Sequence, residues 1–145
     1  MTIRKAAHAD IPALCALEAE CFSSPWTAKG FEDSFANDCF VCYAAEENGV
    51  VCGYIGAMLV CGEAEITNVA VSDAYRRRGI GGMLIEAILA LDAERVLLDV
   101  RASNTAARGL YEKYGFQVDG IRKGFYAKPK EDAVLMSRER TTEGR

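Results

Sequence analysis

Apolar and polar residues alternate with two different periods along the chain, and each change of period marks an element. Thr2 to Ala7 reads as a short first strand. Ile11, Leu14, Cys15, Glu18, Cys21 and Phe22 then recur at helical spacing, with Asp10 placed to cap the helix and Pro12 tolerated in its first turn. Glu18 therefore falls on an otherwise apolar stripe. Ser24-Pro25-Trp26-Thr27 breaks this helix and starts a second, running to about Ala36. Residues 39–46 and 50–60 are rich in Val, Ile, Tyr and Cys; Asn48-Gly49 between them supplies the positive φ angles of a tight hairpin, so the two pair antiparallel. Gly62-Glu63 offers another turn and Ala64 to Val71 a further strand.

Beyond Ser72-Asp73 the helical period returns. Ile80, Leu84, Ala87, Ile88 and Leu91 share one face of a helix that begins near Gly79. Arg95 to Arg101 reads as a buried strand and Asn104 to Tyr114 as a helix stopped by Gly115. Phe116 to Phe125 and Asp132 to Met136 complete a sheet of about seven strands. There are too few crossovers for a doubly wound fold, so the pattern predicts an α+β fold around a mixed sheet. Residues 1–136 are expected to form one domain, followed by a charged, frayed tail over 137–145.

Composition adds mainly exclusions. A chain of 145 residues can bury a core without disulfides or a structural metal. A net charge of −4 argues against direct nucleic-acid binding, which relies on neutralising phosphates. The N-terminus, Met1 to Ala9, lacks an apolar run of signal-peptide length and no stretch is long enough to span a bilayer, so the expected location is the cytoplasm, away from membranes. Six cysteines raise the question of a metal. Cys39 and Cys42 form a CxxC, but on a strand they point to opposite faces, and His8 is the only histidine. The thiols are read as reduced core residues, with no metal site.

The most informative stretch runs from Ile66 to Gly82. The amides that open a helix carry the positive end of its dipole and welcome phosphate. Gly79, Gly81 and Gly82 clear side chains from that helix start, and Arg76, Arg77 and Arg78 add positive charge. A P-loop would need Gly-Lys-Ser/Thr, but Met83 follows Gly82; a dinucleotide fingerprint would need glycine at Leu84. The Arg-x-x-Gly-x-Gly spacing of Arg76, Gly79 and Gly81, after the strand Asn68-Val69-Ala70-Val71, resembles the coenzyme A diphosphate loop of the GNAT superfamily of N-acetyltransferases. Leu98 to Phe116 resembles the strand, Asn-containing turn and LYxxxGF helix of the same superfamily. The likeness covers nearly the whole chain and is nearest to the Rim-type ribosomal-protein-alanine N-acetyltransferases.

That resemblance implies a GNAT-type fold, with helices on both faces of a mostly antiparallel sheet, and acetyl-CoA as co-substrate. It implies main-chain contacts from Val69, Ala70 and Val71 to the pantetheine arm and diphosphate contacts from residues 76–82, Ile80 included. Asn104 would bind the coenzyme and Tyr111 would be the general acid facing its sulfur; Asn104, Ala107 and Tyr111 share one helical face. Asp99 stands where the subfamily carries a Glu proposed as proton acceptor. A structural role for Asp99, paired with Arg101 in a buried strand, stays open beside it. Glu18, Trp26 and Tyr126 are the candidate substrate contacts, and Phe125-Tyr126 replaces a peptide-gripping Tyr-Tyr pair. The implied acceptor is a protein N-terminus, first the alanine of a small-subunit ribosomal protein, attacked directly in a ternary complex. An α-amino group, with pKa about 8, is neutral more often than a lysine amine near 10.4, which favours this choice. Acetylation of a small amine or a lysine, or a non-catalytic acetyl-CoA-binding module, are the alternatives. The sequence specifies no oligomeric state.

Overall fold

The computed structural model describes residues 1–127 and 129–140. Among these the chain forms seven strands and four α-helices. The order is β1 (Thr2–Lys5), α1 (Ile11–Cys21), α2 (Ala28–Phe35), β2 (Phe40–Glu47), β3 (Val50–Val60), β4 (Glu63–Val71), α3 (Ile80–Leu89), β5 (Arg95–Arg101), α4 (Thr105–Lys113), β6 (Gln117–Ala127) and β7 (Lys130–Glu139). Short 3₁₀ turns at His8–Asp10 and Asp73–Tyr75 precede α1 and α3.

All seven strands join one sheet in the order β1-β2-β3-β4-β5-β7-β6. Only β4 and β5 are parallel, so the sheet is mixed and mostly antiparallel, as expected. The hairpin forms where Asn48-Gly49 predicted it, with φ of 52° and 80°. Apolar side chains on the two sheet faces build two cores. Ile80, Leu84, Ile85 and Ile88 of α3 and Tyr111 of α4 pack with Ile55, Ile66 and Leu98. Ile11, Leu14 and Leu17 of α1 and Phe31 of α2 pack with Tyr54 and Ala70 on the other side.

Several boundaries differ from expectation for physical reasons. The second turn is Cys61-Gly62, both at positive φ, one residue earlier than Gly62-Glu63. Asp10 occupies the N-cap position of α1, but its carboxylate makes no cap bond to that helix. It accepts from Arg4 Nη1 and Nη2 at 2.8 and 2.9 Å and from the Ala7 amide at 2.7 Å. Arg4 also bonds Glu46 at 2.7 Å, so one guanidinium joins β1, β2 and the start of α1. Strand β7 runs three residues past the expected boundary at 136: Ser137 is buried and Arg138 and Glu139 continue the ladder with β5. Residues 141–145 of the expected frayed tail lie outside the described residues.

The Arg4 guanidinium holds the Asp10 carboxyl below its usual range. A depressed carboxylate stabilises the fold above its unfolded-state value, near 4, and loses that contribution as pH falls through the lower folded-state value. Asp10→Asn should therefore lower the midpoint of thermal unfolding at pH 7. Its difference from wild type should shrink below about pH 4. A difference that persisted unchanged at pH 2 would show that the ionic form plays no part.

Candidate active site

The site originates in an interrupted strand pair. Strands β4 and β5 match from Glu63↔Arg95 to Ile66↔Leu98, and there the pairing stops. The cause lies on the other edge of β4. Against β3, Gly56 pairs with Asn68 and Ala57 with Ile66, so Thr67 is an extra residue that bulges and bends β4. Gly56 makes room for it: a Cβ there would lie 3.0 Å from the Phe40 ring and 3.2 Å from Thr67 Oγ1. Past the bulge β4 departs from β5 and a cleft of about 730 Å³ opens between them.

The phase of the β3–β4 ladder decides which main-chain groups face this cleft. Ser72 N–H donates to Cys52 O at 2.8 Å. By antiparallel alternation the polar groups of Ser72 and Ala70 turn toward β3, and those of Val71 and Val69 turn away, toward the gap. Ala70, expected among the coenzyme contacts, thus spends its main chain on the ladder and its side chain in the α1–α2 core. The Val71 carbonyl is engaged on the cleft side by Arg76 Nε at 3.2 Å and the Cys21 thiol at 3.5 Å.

At one end of the gap stands the start of α3. Arg77 and Gly79 are left-handed (φ 65° and 77°) and curl the chain ahead of the helix. The first helical bond is Met83 N–H to Gly79 O, so the amides of Ile80, Gly81 and Gly82 lack helical acceptors. The three arginines do not act alike. Arg76 pairs with Asp73 at 2.5 Å and lines the cleft. Arg78 pairs with Glu47 at 2.7 Å and stacks over Tyr75, which turns it toward β2. The glycines differ as well. Gly79 satisfies the left-handed cap, Gly81 lines the cleft against Leu110, and Gly82 is buried against Tyr114.

At the other end lie the titratable side chains. Tyr111 is only 7% exposed, packs on Phe116 and borders the cleft. Burial, with the neighbouring Tyr126 as a lesser cause, pushes its phenol up to about 12. Asn104 caps α4, accepting from Ala107 N–H at 3.1 Å, and also borders the cleft. Asp99 is exposed on the cleft face of β5, between the buried Leu98 and Val100. The expectation of a buried carboxylate is therefore corrected: Asp99 lies on the face of β5 that the α1–α2 core does not reach. Its expected partner, Arg101, points to Glu131 at 3.4 Å and the Pro129 carbonyl at 2.9 Å, and lies 4.3 Å over the Tyr126 ring. Tyr126 is half-buried, and burial first, then the charge of Asp99, raises its phenol above the ordinary value.

Glu18, expected as a substrate contact, borders the cleft and is only 1% exposed. Its carboxylate accepts from Tyr54 Oη at 2.5 Å, Asn68 Nδ2 at 3.0 Å and the Trp26 amide at 2.8 Å. It is a hub that ties the loop after α1 to β3 and β4. Trp26 lines the cleft and packs on Phe31 and Phe40. Tyr54, Asn68 and the Thr67 bulge were not singled out in the sequence; the isolated Gly56 in a strand was the available signal. Among the described residues no three His, Cys, Asp or Glu converge to hold a metal ion, the six cysteines are free thiols, and no helix is long and apolar enough to cross a membrane.

A sheet parted beside a phosphate-ready helix start, with a buried tyrosine across the gap, is the framework of an acyltransferase. The chain belongs to the acetyltransferase (GNAT) family, whose model matches residues 11–116. It is 39% identical over 132 residues to a Bacillus subtilis (strain 168) protein provisionally named a ribosomal protein bS18-alanine N-acetyltransferase, covering 88% of this chain and 87% of that one. The crystal structure of the ribosomal-protein-S18-alanine N-acetyltransferase from Escherichia coli superposes with a TM-score of 0.89 at 30% identity, covering 99% and 97% of the two chains. Arabidopsis thaliana NAA60 in complex with acetyl-CoA shares the fold, with a TM-score of 0.87 at 20% identity over 96% and 99%.

Removing the Glu18 hub should be costly. Glu18→Ala strands the Tyr54 hydroxyl and the Asn68 amide in the interior, and urea unfolding should show a loss of about 3 kcal/mol. Glu18→Gln, which keeps one acceptor oxygen, should lose less. Equal losses would mean that packing, not hydrogen bonding, accounts for the effect.

Proposed function

We propose that the protein transfers an acetyl group from acetyl-CoA to the α-amino group at a protein N-terminus, with the N-terminal alanine of ribosomal protein bS18 as first acceptor. One observation carries this reading: a single gap joins a helix start suited to a diphosphate with a pair of groups suited to proton transfer. The names of the relatives support the choice of acceptor, and a ribosomal acceptor favours a cytoplasmic reaction.

In this reading the amides of Ile80 and Gly81 hold the diphosphate, with Arg76 and Arg77 adding charge. Main-chain groups of Val69 and Val71 receive the pantetheine arm as an added half-strand, and Asn104 faces it from α4. The acceptor enters between Trp26 and Tyr126. Tyr126 is steadied by the Arg101 guanidinium on its ring, while Glu18 fixes the loop that presents Trp26 rather than touching the substrate. Asp99 takes a proton from the arriving ammonium through a bridging water, which compensates for a side chain one methylene shorter than the family Glu. The neutral nitrogen attacks the thioester carbonyl, a C–N bond forms and the C–S bond breaks. The departing sulfur takes the Tyr111 proton, and the proton the nitrogen sheds as the amide forms restores the Tyr111 phenol.

Purified protein incubated with acetyl-CoA should release free thiol with peptides beginning in alanine, and much less with an internal-lysine peptide. Thiol release on the lysine peptide alone would move the function to lysine or small amines, and acetyl-CoA binding without thiol release on any amine would support a binding module.

Because Tyr111 titrates near 12, it stays protonated throughout the working range. The rate constant kcat should rise with pH as the amine loses its proton and then stay flat to about pH 10. A falling limb centred near 9 would identify a different acid. Tyr111→Phe should lower kcat about 100-fold with little change in acetyl-CoA affinity.

A further inference from the structure

The sequence groups Gly82 with the phosphate-binding glycines, but its Cα points elsewhere. A Cβ built on Gly82 would overlap the Tyr114 hydroxyl and lie 3.2 and 3.3 Å from Cζ and Cε2 of that ring. A Cβ on the neighbouring Gly81 would meet Leu110 Cδ2 at 3.1 Å. The start of α3 and the end of α4 thus touch through backbone on one side and two large side chains on the other.

Tyr114 is the C-cap of α4, three residues after Tyr111, and its amide donates to Tyr111 O at 3.0 Å. Its carbonyl is held from β7 by Arg138 Nε at 2.9 Å. Its backbone is therefore held from β7 while its ring rests on Gly82, and the turn of helix that carries Tyr111 is fixed between these two contacts. We infer that Tyr114 is a positioning residue: its ring, seated on Gly82, sets the spacing of α4 from α3 and so places the Tyr111 phenol over the cleft. The inference rests on Tyr111 being the general acid.

The spacer role and a phosphate role for Gly82 part company in one set of variants. Gly82→Ala pushes on Tyr114, and should cut kcat about tenfold while acetyl-CoA affinity, measured by calorimetry, stays within about threefold. Adding Tyr114→Phe removes the oxygen that the new methyl strikes, so the double variant should recover most of the loss. If affinity falls as far as kcat and the second change rescues nothing, Gly82 serves the diphosphate and the inference fails. Should Gly82→Ala not fold, Tyr114→Ala provides the same test: kcat should drop with affinity kept, and adding Tyr111→Phe should cost less than it does in the wild type. Full additivity there would overturn the proposal. Undiminished turnover in Tyr111→Phe alone would end the acid assignment along with this inference, whereas a normal Tyr111→Phe loss without rescue ends this inference only.

Discussion

Everything in the site depends on a strand pair that starts and does not finish. A main-chain amide or carbonyl out of water requires a partner, and a sheet normally supplies it from the next strand. Here one extra residue, Thr67, bends β4 away from β5 after Ile66 and Leu98. The polar groups of Val69 and Val71 are left facing a gap instead of a ladder, which makes β4 half sheet and half receptor. Asp99 lies on the face of β5 that the α1–α2 core does not reach, so it can be a carboxylate in the middle of an apolar strand without being buried.

Much of this architecture was legible beforehand, because it follows local rules. The Asn48-Gly49 hairpin, the 3.6-residue stripe of α3 and the Gly115 stop after α4 each depend on neighbours in sequence. The helix start at Gly79 was legible for the same reason, since left-handed backbone and missing side chains are properties of glycine itself. The strand ends were less so. Extension of β7 through Ser137 and Arg138 is earned by pairing with Arg95 to Leu97, residues some 40 positions away.

What the sequence hid are contacts between distant segments. Glu18 was conspicuous on its apolar stripe, but nothing nearby indicates that Tyr54, Asn68 and Trp26 converge on it. The three arginines look interchangeable in a row, yet Glu47 and Asp73 draw Arg78 and Arg76 in different directions. The three glycines look equally phosphate-directed, yet Gly82 abuts a tyrosine from another helix.

The two apolar cores have a consequence for how such a molecule can change over generations. Walls of the gap at the start of α3 are backed by the cluster under α3 and α4, while the loop bearing Trp26 is backed by the separate cluster under α1 and α2. Substitutions beneath one side leave the other side's packing intact. Under the proposed function, new acceptor preferences can therefore accumulate around Phe31, Phe40 and Trp26 without loosening the hold on the acetyl donor, a division of labour built into which face of the sheet each helix covers.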